Sequence, residues 1–98
     1  MIKLQKRWLA ALRSGKYKQG RLRLRSGDNF CCLGVLCDVY DPKEWGEYGT
    51  YDYAHNMPPL DVLIKCCLTP SFAHALAEAN DKGKSFSEIA DMIEERFT

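Results

Sequence analysis

The feature that most constrains the fold is the run of residues 30–40, Phe-Cys-Cys-Leu-Gly-Val-Leu-Cys-Asp-Val-Tyr, which is apolar on every side. Such a run is buried whether it forms a strand or a helix, because water would otherwise meet apolar surface in every direction. Periodicity alone does not separate the two structures. We predict a short strand at Phe30 and Cys31 that passes into a buried helix ending near Tyr40, before Asp41-Pro42.

The first fourteen residues have the pattern of an amphipathic helix. At about 100° per residue, the apolar side chains gather on one side and the basic ones fall on the opposite side. Gly15 follows as a stop signal, so the helix is predicted over residues 2–14. The predicted inward side chains are Leu4, Trp8, Ala11 and Leu12, with Leu9 at their border.

Further helices are predicted in the C-terminal third. Thr69 is placed as an N-cap before Pro70, which suits the first position of a helix that runs to about Asn80. Residues 85–88, Ser-Phe-Ser-Glu, match a capping box that opens a last helix ending near Phe97. A shorter helix is predicted over residues 59–67. Its predicted inward face is Leu60, Leu63, Ile64 and Cys67.

The strict Arg/Leu alternation of residues 21–25 predicts a half-buried strand with Leu22 and Leu24 inward and the arginines outward. Residues 26–29, Ser-Gly-Asp-Asn, have the composition of a turn. Residues 50–53 are a second candidate strand, which could return to pair with the first. We therefore predict one α+β domain over residues 1–98, predominantly helical with four to five short helices and a small two- or three-stranded antiparallel sheet.

The net charge of +1 conceals a strong asymmetry. Residues 1–30 carry nine basic side chains against Asp28 alone, whereas residues 31–98 carry five basic and twelve acidic ones. The hydrophobic fraction of 46% is that of a folded protein and excludes a disordered chain. No apolar run approaches the ~20 residues that span a bilayer, and the charged N-terminus does not match a signal peptide. A cytoplasmic protein with no membrane partner is predicted.

Cysteine usage points to free thiols. The five cysteines are odd in number and include two adjacent pairs, whose geometry does not favour a bridge within the pair. Their apolar neighbours predict thiols packed as small hydrophobic side chains. Zinc knuckles place Cys-x2-4-Cys at turns, whereas Cys32-x4-Cys37 and Cys31-x5-Cys37 lie within an apolar run, which disfavours a zinc site. We predict no metal and no cofactor.

A thiol enzyme is the third and least favoured interpretation. It would use Cys31 or Cys32 as the nucleophile and His55 as the base, with Asp38 or Asp52 orienting the histidine. No local pattern supports that pairing, and no phosphate-binding glycine loop is present. We predict that the protein is not an enzyme.

Three segments of the chain are distinctive together. They are Trp8-x3-Leu12-x-Ser14-Gly15-x-Tyr17-x-Gln19, then Phe30-Cys31-Cys32-Leu33-Gly34-Val35-Leu36-Cys37-Asp38, then Asn80-Asp81-x-Gly83-x-Ser85-Phe86-x-Glu88-Ile89-Ala90-Asp91. With them the chain resembles, along nearly its whole length, a group of small proteins of tailed bacteriophages and prophages. The resemblance implies action on host machinery or host defence, in the cytoplasm of a bacterial host cell. It carries over no catalytic residue.

The basic side chains of the first third form the predicted binding surface. Alternate residues of a strand lie ~6.6 Å apart, close to the spacing of successive phosphates, and arginine binds phosphate with two hydrogen bonds. The alternative is that the acidic remainder of the chain neutralises this surface. The predicted basic ligand-binding residues are Arg13, Lys16, Lys18, Arg21, Arg23 and Arg25.

Residues 45–55, the aromatic loop, supply a second candidate surface. Aromatic rings here could stack on a ligand or anchor a protein partner. Glu44, Glu47 and Asp52 disfavour a long nucleic-acid strand. The alternative is that the loop closes over the core with its own rings. The predicted aromatic ligand-binding residues are Trp45, Tyr48, Tyr51 and Tyr53.

The predicted function is that of a non-enzymatic phage accessory protein, which acts on a host factor or host defence. It would bind an anionic ligand, a nucleotide messenger or nucleic acid, through the Arg/Lys surface. The alternative is an inhibitor that docks on a host protein through the aromatic loop. The predicted partners are thus an anionic ligand or an acidic host protein, with single-stranded nucleic acid as a further candidate. A homodimer is left open, because opposite charges can pair within one molecule or between two.

Overall fold

The apolar run forms a strand and then a buried helix, as predicted. In the computed structural model, which describes residues 1–98 except the side chain of Tyr48, this helix is α2 (Cys32–Tyr40). Every residue from 31 to 37 is buried. Cys31 caps the helix, because its Sγ accepts a hydrogen bond from the Gly34 N–H at 3.4 Å. Its buried apolar side chains belong to the core of the molecule.

The amphipathic helices form where periodicity and capping signals predicted them. They are α1 (Lys3–Arg13), α4 (Pro70–Asp81) and α5 (Phe86–Phe97). Thr69 caps α4 and Ser85 opens α5 with a capping box, so both predicted caps are confirmed. α1 and α4 each pack on α2 and on α5, which gathers the buried apolar side chains into one cluster. None of the described helices combines the length and apolar character needed to cross a membrane.

α3 (Leu60–Lys65) is shorter than the helix predicted there and buries a different face. Of the four predicted inward residues only Leu63 is buried, so the predicted face was wrong. A helix of six residues has too few positions to define a face by periodicity. The C-terminal end of α3 makes a contact with a distant part of the chain, in which Gln5 Nε2 donates to the Cys66 carbonyl at 2.8 Å. The buried residues are Val62, Leu63 and Cys66, while Leu60, Ile64 and Cys67 are exposed.

Three short strands form a mixed sheet in the order β1-β3-β2. β1 (Lys18–Gln19) pairs in parallel with β3 (Asn29–Phe30), and β2 (Arg25–Ser26) pairs antiparallel with β3. The predicted turn joins β2 to β3. The predominantly helical α+β class with a small sheet is therefore confirmed, but the sheet is mixed, whereas an antiparallel one was predicted.

The predicted strand over residues 21–25 is wrong, because strand structure begins only at the last of them. Leu22 has a φ of 70° and is 73% exposed, whereas Leu24 is fully buried. The backbone donors of this segment have partners outside the sheet. Leu22 N donates to Asp81 Oδ1 at 2.8 Å, and Leu24 N donates to the His55 carbonyl at 2.8 Å. The left-handed residue breaks the alternation that the sequence suggested.

The aromatic loop folds on itself and does not form the predicted strand at residues 50–53. Short 3₁₀ turns occupy Pro42–Glu44 and Glu47–Gly49. Tyr51 then makes single antiparallel bridges with residues 45 and 54. Asp52 and Tyr53 both have left-handed backbones, with φ of 47° and 67°, which reverses the chain at this point.

Candidate anion-binding site

The arginine segment, residues 21–25, is held by polar side chains at the end of α4. Asn80 is fully buried, and its Oδ1 accepts a hydrogen bond from Cys32 N at 3.1 Å. Its Nδ2 donates to the Gly20 carbonyl at 2.8 Å. Together with the bond from Leu22 N to Asp81, these contacts tie the segment to α2 and α4. The segment is an ordered loop with a defined position.

Gly34 allows this segment to lie directly on α2. A Cβ atom at Gly34 would be 1.8 Å from the Leu24 carbonyl oxygen, a distance at which no side chain fits. That same carbonyl accepts a hydrogen bond from Cys31 N at 3.1 Å. Because Leu24 is fixed in this way, the arginines on either side of it, Arg23 and Arg25, line one cavity.

This cavity, which we call the basic cavity, lies between the arginine segment with its following turn and the aromatic loop. Its volume is about 530 Å³, within the usual range for small-molecule sites. The charged residues among its described lining are both arginines, and that lining includes no carboxylate. The lining residues are Arg23, Arg25, Ser26, Gly27, Trp45, Gly46 and Gly49.

The guanidinium of Arg25 is fixed by three contacts. Its Nε donates to the Gly27 carbonyl at 2.9 Å. Its Cζ lies 4.9 Å from the ring centre of Phe30 and 5.3 Å from that of Trp45. Such cation–π contacts stabilise a cation over the ring face and restrict its orientation. Arg25 is half-buried, and these contacts hold its guanidinium in one orientation.

Asp38 holds the aromatic wall of the basic cavity. Its Oδ1 accepts a hydrogen bond from Trp45 Nε1 at 3.0 Å, and its Oδ2 accepts one from the Tyr17 hydroxyl at 2.5 Å. Burial, and then the bond to Asp38, raises the pKa of Tyr17 to about 12. Edge-to-face contacts, with ring centres 5.0 to 5.7 Å apart, join the rings into a row. The row is Tyr17, Phe30, Trp45 and Tyr51.

The structure brings together only part of the predicted basic surface. Arg13 donates to Asp91 at 2.8 Å and to Glu94 at 3.0 Å, and these hydrogen bonds raise its pKa. The acidic helix α5 thus neutralises this part of the surface, as the alternative interpretation held. Arg13 is therefore removed from the predicted set of ligand-binding residues.

The remaining basic residues lie elsewhere. A Cβ atom at Gly83 would be 3.5 Å from Arg21 Nη2, which places Arg21 at the connection between α4 and α5. Lys16 and Lys18 are exposed. β1, which contains Lys18, is at the opposite edge of the sheet from β2, so neither lysine lines the basic cavity.

The predicted aromatic residues have separate roles. Trp45 lines the basic cavity. Tyr51 is 1% exposed, and its hydroxyl donates to the Asp41 carbonyl at 2.9 Å. The prediction that Tyr51 contacts a ligand is therefore corrected, because this side chain is part of the core. Tyr53 is 92% exposed and lies outside the basic cavity. The prediction for Tyr48 concerns a side chain outside the described residues.

A second cavity adjoins the basic one at Gly46, which lines both. Its volume is about 600 Å³. Three carboxylates line it, so we call it the acidic cavity. The full lining is Lys43, Glu44, Gly46, Glu47, Thr50, Asp52, Tyr53 and His55.

Sequence reasoning missed the small residues that shape the basic cavity. Ser26 and Gly27 belong to the predicted turn, whose composition was the available signal. Gly49 has a φ of 73°, and a Cβ atom there would be 2.1 Å from the Arg25 carbonyl oxygen. This glycine lets the loop approach β2. Asp38, the acceptor for Trp45, was considered in the sequence as part of the apolar run and as a residue that orients a histidine, and its role in holding Trp45 was missed.

The arrangement gives no support to a thiol nucleophile. All five cysteines are free, and four of them are buried. Burial raises the pKa of Cys31 to about 11 and that of Cys32 well above its usual value. His55 lies by Arg23, with 3.5 Å between His55 Nδ1 and Arg23 Nη2, and lines the acidic cavity, whereas Cys31 lines a different one. Among the described residues, no three His, Cys, Asp or Glu side chains converge as a metal site.

Taken together, the fold and site define a small, predominantly helical α+β protein with an arginine-lined cavity beside an aromatic row. Residues 1–66 match the family DUF8296, a domain of unknown function, and since this is about two thirds of the chain, the chain belongs to that family. No curated protein and no solved structure matches it. The matched part contains the whole described lining of the basic cavity, but it ends before α4, which supplies Asn80 and Asp81.

Proposed function

We propose that the protein binds a compact anionic ligand of nucleotide size in the basic cavity. The observation that carries this proposal is the convergence of Arg23, Arg25 and Trp45 on one cavity of about 530 Å³. Guanidinium groups bind phosphate through charge-assisted hydrogen bonds, and an aromatic wall suits a planar base. The described lining carries no carboxylate that would repel an anion.

The acidic cavity favours a compact ligand over a nucleic-acid strand. It begins at Gly46, where the basic cavity ends, and carries Glu44, Glu47 and Asp52. A polyanion extending along the loop would meet these three charges, and like charges repel at such distances. A free nucleotide avoids this because its charge is confined to the phosphate end.

The proposed role is binding without catalysis. The buried thiols are poor nucleophiles at neutral pH, because their pKa values are raised by burial. Following the resemblance to small proteins of phages and prophages, we propose that the protein sequesters its ligand in the cytoplasm of a bacterial host, as a means of acting on a host factor or host defence.

Calorimetric titration of the folded protein with nucleotides at about 50 mM salt tests this function, since electrostatic affinity is greatest at low salt. Arg25→Gln should weaken binding at least about tenfold, because it removes a charge-assisted contact. Lys18→Gln is the matched control, since it removes the same charge from an exposed site outside the cavity. The control should change affinity less than about twofold. Absence of binding by every nucleotide, or equal losses in both variants, would contradict the proposal.

A second candidate function is docking on a host protein through Tyr53. This side chain is 92% exposed on a left-handed backbone, at the rim of the acidic cavity. Exposed tyrosines are common anchors of protein interfaces. A pull-down from bacterial lysate should lose its partner with Tyr53→Ala and keep it with Leu60→Ala, a control with an exposed apolar side chain on α3. Retention of every partner by Tyr53→Ala would rule out this candidate.

A further inference from the structure

The contacts of Arg25 determine which of its atoms a ligand can reach. Its Nε is engaged by the Gly27 carbonyl, and its plane lies against the rings of Phe30 and Trp45. Among the described residues, the two Nη groups are the donors of this guanidinium without a hydrogen-bond partner. They form an end-on pair, which matches two oxygens of a single phosphate group.

A second guanidinium lines the same cavity. Arg23 is placed by the fixed Leu24 beside it, and its Nη2 lies 3.5 Å from His55 Nδ1. These two cations belong to a described lining that includes no carboxylate, and they match a group that carries two negative charges. A terminal phosphate carries about 1.5 to 2 negative charges at pH 7 and three free oxygens. A phosphodiester carries one charge and has only two free oxygens.

We propose that the basic cavity recognises a terminal phosphate, a phosphomonoester, which Arg25 binds end-on and Arg23 neutralises. This inference rests on the proposed function and narrows it. The ligand class is a nucleoside monophosphate or a related small phosphomonoester, in place of a cyclic nucleotide or an internal phosphate of a strand. Trp45 and the glycine backbone of the loop enclose the rest of the molecule.

The test compares two ligands that differ only in the ester. Adenosine and guanosine 5′-monophosphates are titrated into the full chain beside their 3′,5′-cyclic counterparts and the free nucleosides. At pH 7.5 the monophosphate should bind about tenfold more tightly than the cyclic compound, since it gains a charge and a free oxygen. Equal affinities would overturn the inference and leave the proposed function standing. Absence of binding by all of them would overturn both.

The pH profile of the unmodified protein gives an independent readout. The second proton of a phosphomonoester binds with a pKa of about 6, so the preference for the monophosphate should shrink between pH 7.5 and 5.5. His55 faces Arg23, and Glu44, Glu47 and Asp52 face the adjoining cavity. These groups act on both ligands, so the cyclic compound serves as the control. A preference that does not change with pH would contradict the assignment.

Substitution of Arg25 by lysine tests the end-on pair. Arg25→Lys keeps the charge and loses the paired Nη donors, so the monophosphate should bind about tenfold more weakly while the nucleoside is unaffected. Arg23→Lys should have a smaller effect, about threefold, because its role requires charge alone. Circular dichroism confirms folding of each variant. Wild-type affinity in Arg25→Lys would overturn the assignment, and the pH profile decides the matter if that variant fails to fold.

Discussion

The basic and acidic cavities share Gly46 but are assembled in different ways. The acidic cavity is lined by residues 43–55 alone, a single stretch of chain. The basic cavity lies between two stretches, residues 23–27 and 45–49, which meet because each is held by other parts of the fold. The first rests on α2 at Gly34, and the second is held to α2 through Asp38. The basic cavity therefore depends on Gly34 and Asp38, residues that are not part of its described lining.

The largest expected effect comes from Gly34→Ala, which should disrupt the basic cavity by displacing the arginine segment from α2. The new methyl group would overlap the Leu24 carbonyl. Because the positions of both groups are set by the backbone, relieving the overlap requires the backbone to shift. We expect a loss of about 3 kcal/mol in the free energy of unfolding, with loss of anion binding. Denaturant unfolding measures the first and calorimetry the second.

Gly15→Ala is the matched control for that substitution. Gly15 has a φ of 74°, but no atom lies within 4 Å of an added Cβ. Only backbone strain should appear, at about 1 kcal/mol, with the basic cavity intact. If the two alanine variants lose equal stability, the close contact at Gly34 is not what holds the arginine segment.

The next effect is that of Asp38→Ala, which should release the wall of the basic cavity. The substitution removes the acceptor of both Trp45 Nε1 and the Tyr17 hydroxyl. Leaving two half-buried donors unpaired should cost about 2 kcal/mol. The emission of Trp45 should shift to the red, whereas Trp8, fully buried with its Nε1 donating to the Cys32 carbonyl, should not change. Asp38→Asn retains one acceptor, so its stability and its emission should lie between those of the wild type and those of Asp38→Ala. An unchanged emission in Asp38→Ala would contradict this role of Asp38.

A smaller effect is expected at alkaline pH. Burial and the bond to Asp38 raise the pKa of Tyr17 to about 12, above the ordinary value near 10. The folded state therefore holds this proton more tightly than the unfolded state. The contribution of this proton to the free energy of unfolding is full below pH 10 and is lost as the pH rises towards 12. With allowance for solvent screening at a half-buried hydroxyl, we expect the free energy of unfolding to fall by about 1 kcal/mol over this range.

The comparison of wild type with Tyr17→Phe isolates this contribution. The stability difference between the two proteins should shrink between pH 10 and pH 12. Phenolate absorbance should show the late titration directly, with Tyr51 also late because burial raises its pKa. A difference that stays constant across this range would show that the Tyr17 proton is not held by the fold.

The smallest expected effect concerns the charge boundary at Gly46. Neutralising one carboxylate of the acidic cavity, by Glu47→Gln, should raise the affinity of the basic cavity for an anion about twofold at low salt. The gain should disappear at about 1 M salt, where the Debye length falls to about 3 Å. Glu95→Gln, which changes an exposed carboxylate on α5, is the control. An equal gain in both variants would mean that only net charge matters.

Local signals were reliable where neighbours in sequence are also neighbours in space. The caps at Thr69 and Ser85, and the strand that passes into α2 at Cys31, were predicted because each depends on residues within one helical turn. The strand at residues 21–25 was wrongly predicted because the partners of its backbone, Asp81 and His55, are distant in sequence. An alternating pattern does not reveal such partners.

The sequence by itself determined the helices, the buried apolar run and the concentration of positive charge in the first third. These follow from periodicity, capping and composition, which act over a few residues. Only the tertiary structure decided which positive charges lie together. It paired Arg13 with α5 and brought Arg23 and Arg25 beside Trp45. The physical reason is that charge is a property of a residue, whereas a binding site requires residues far apart in the chain to be held together by the core.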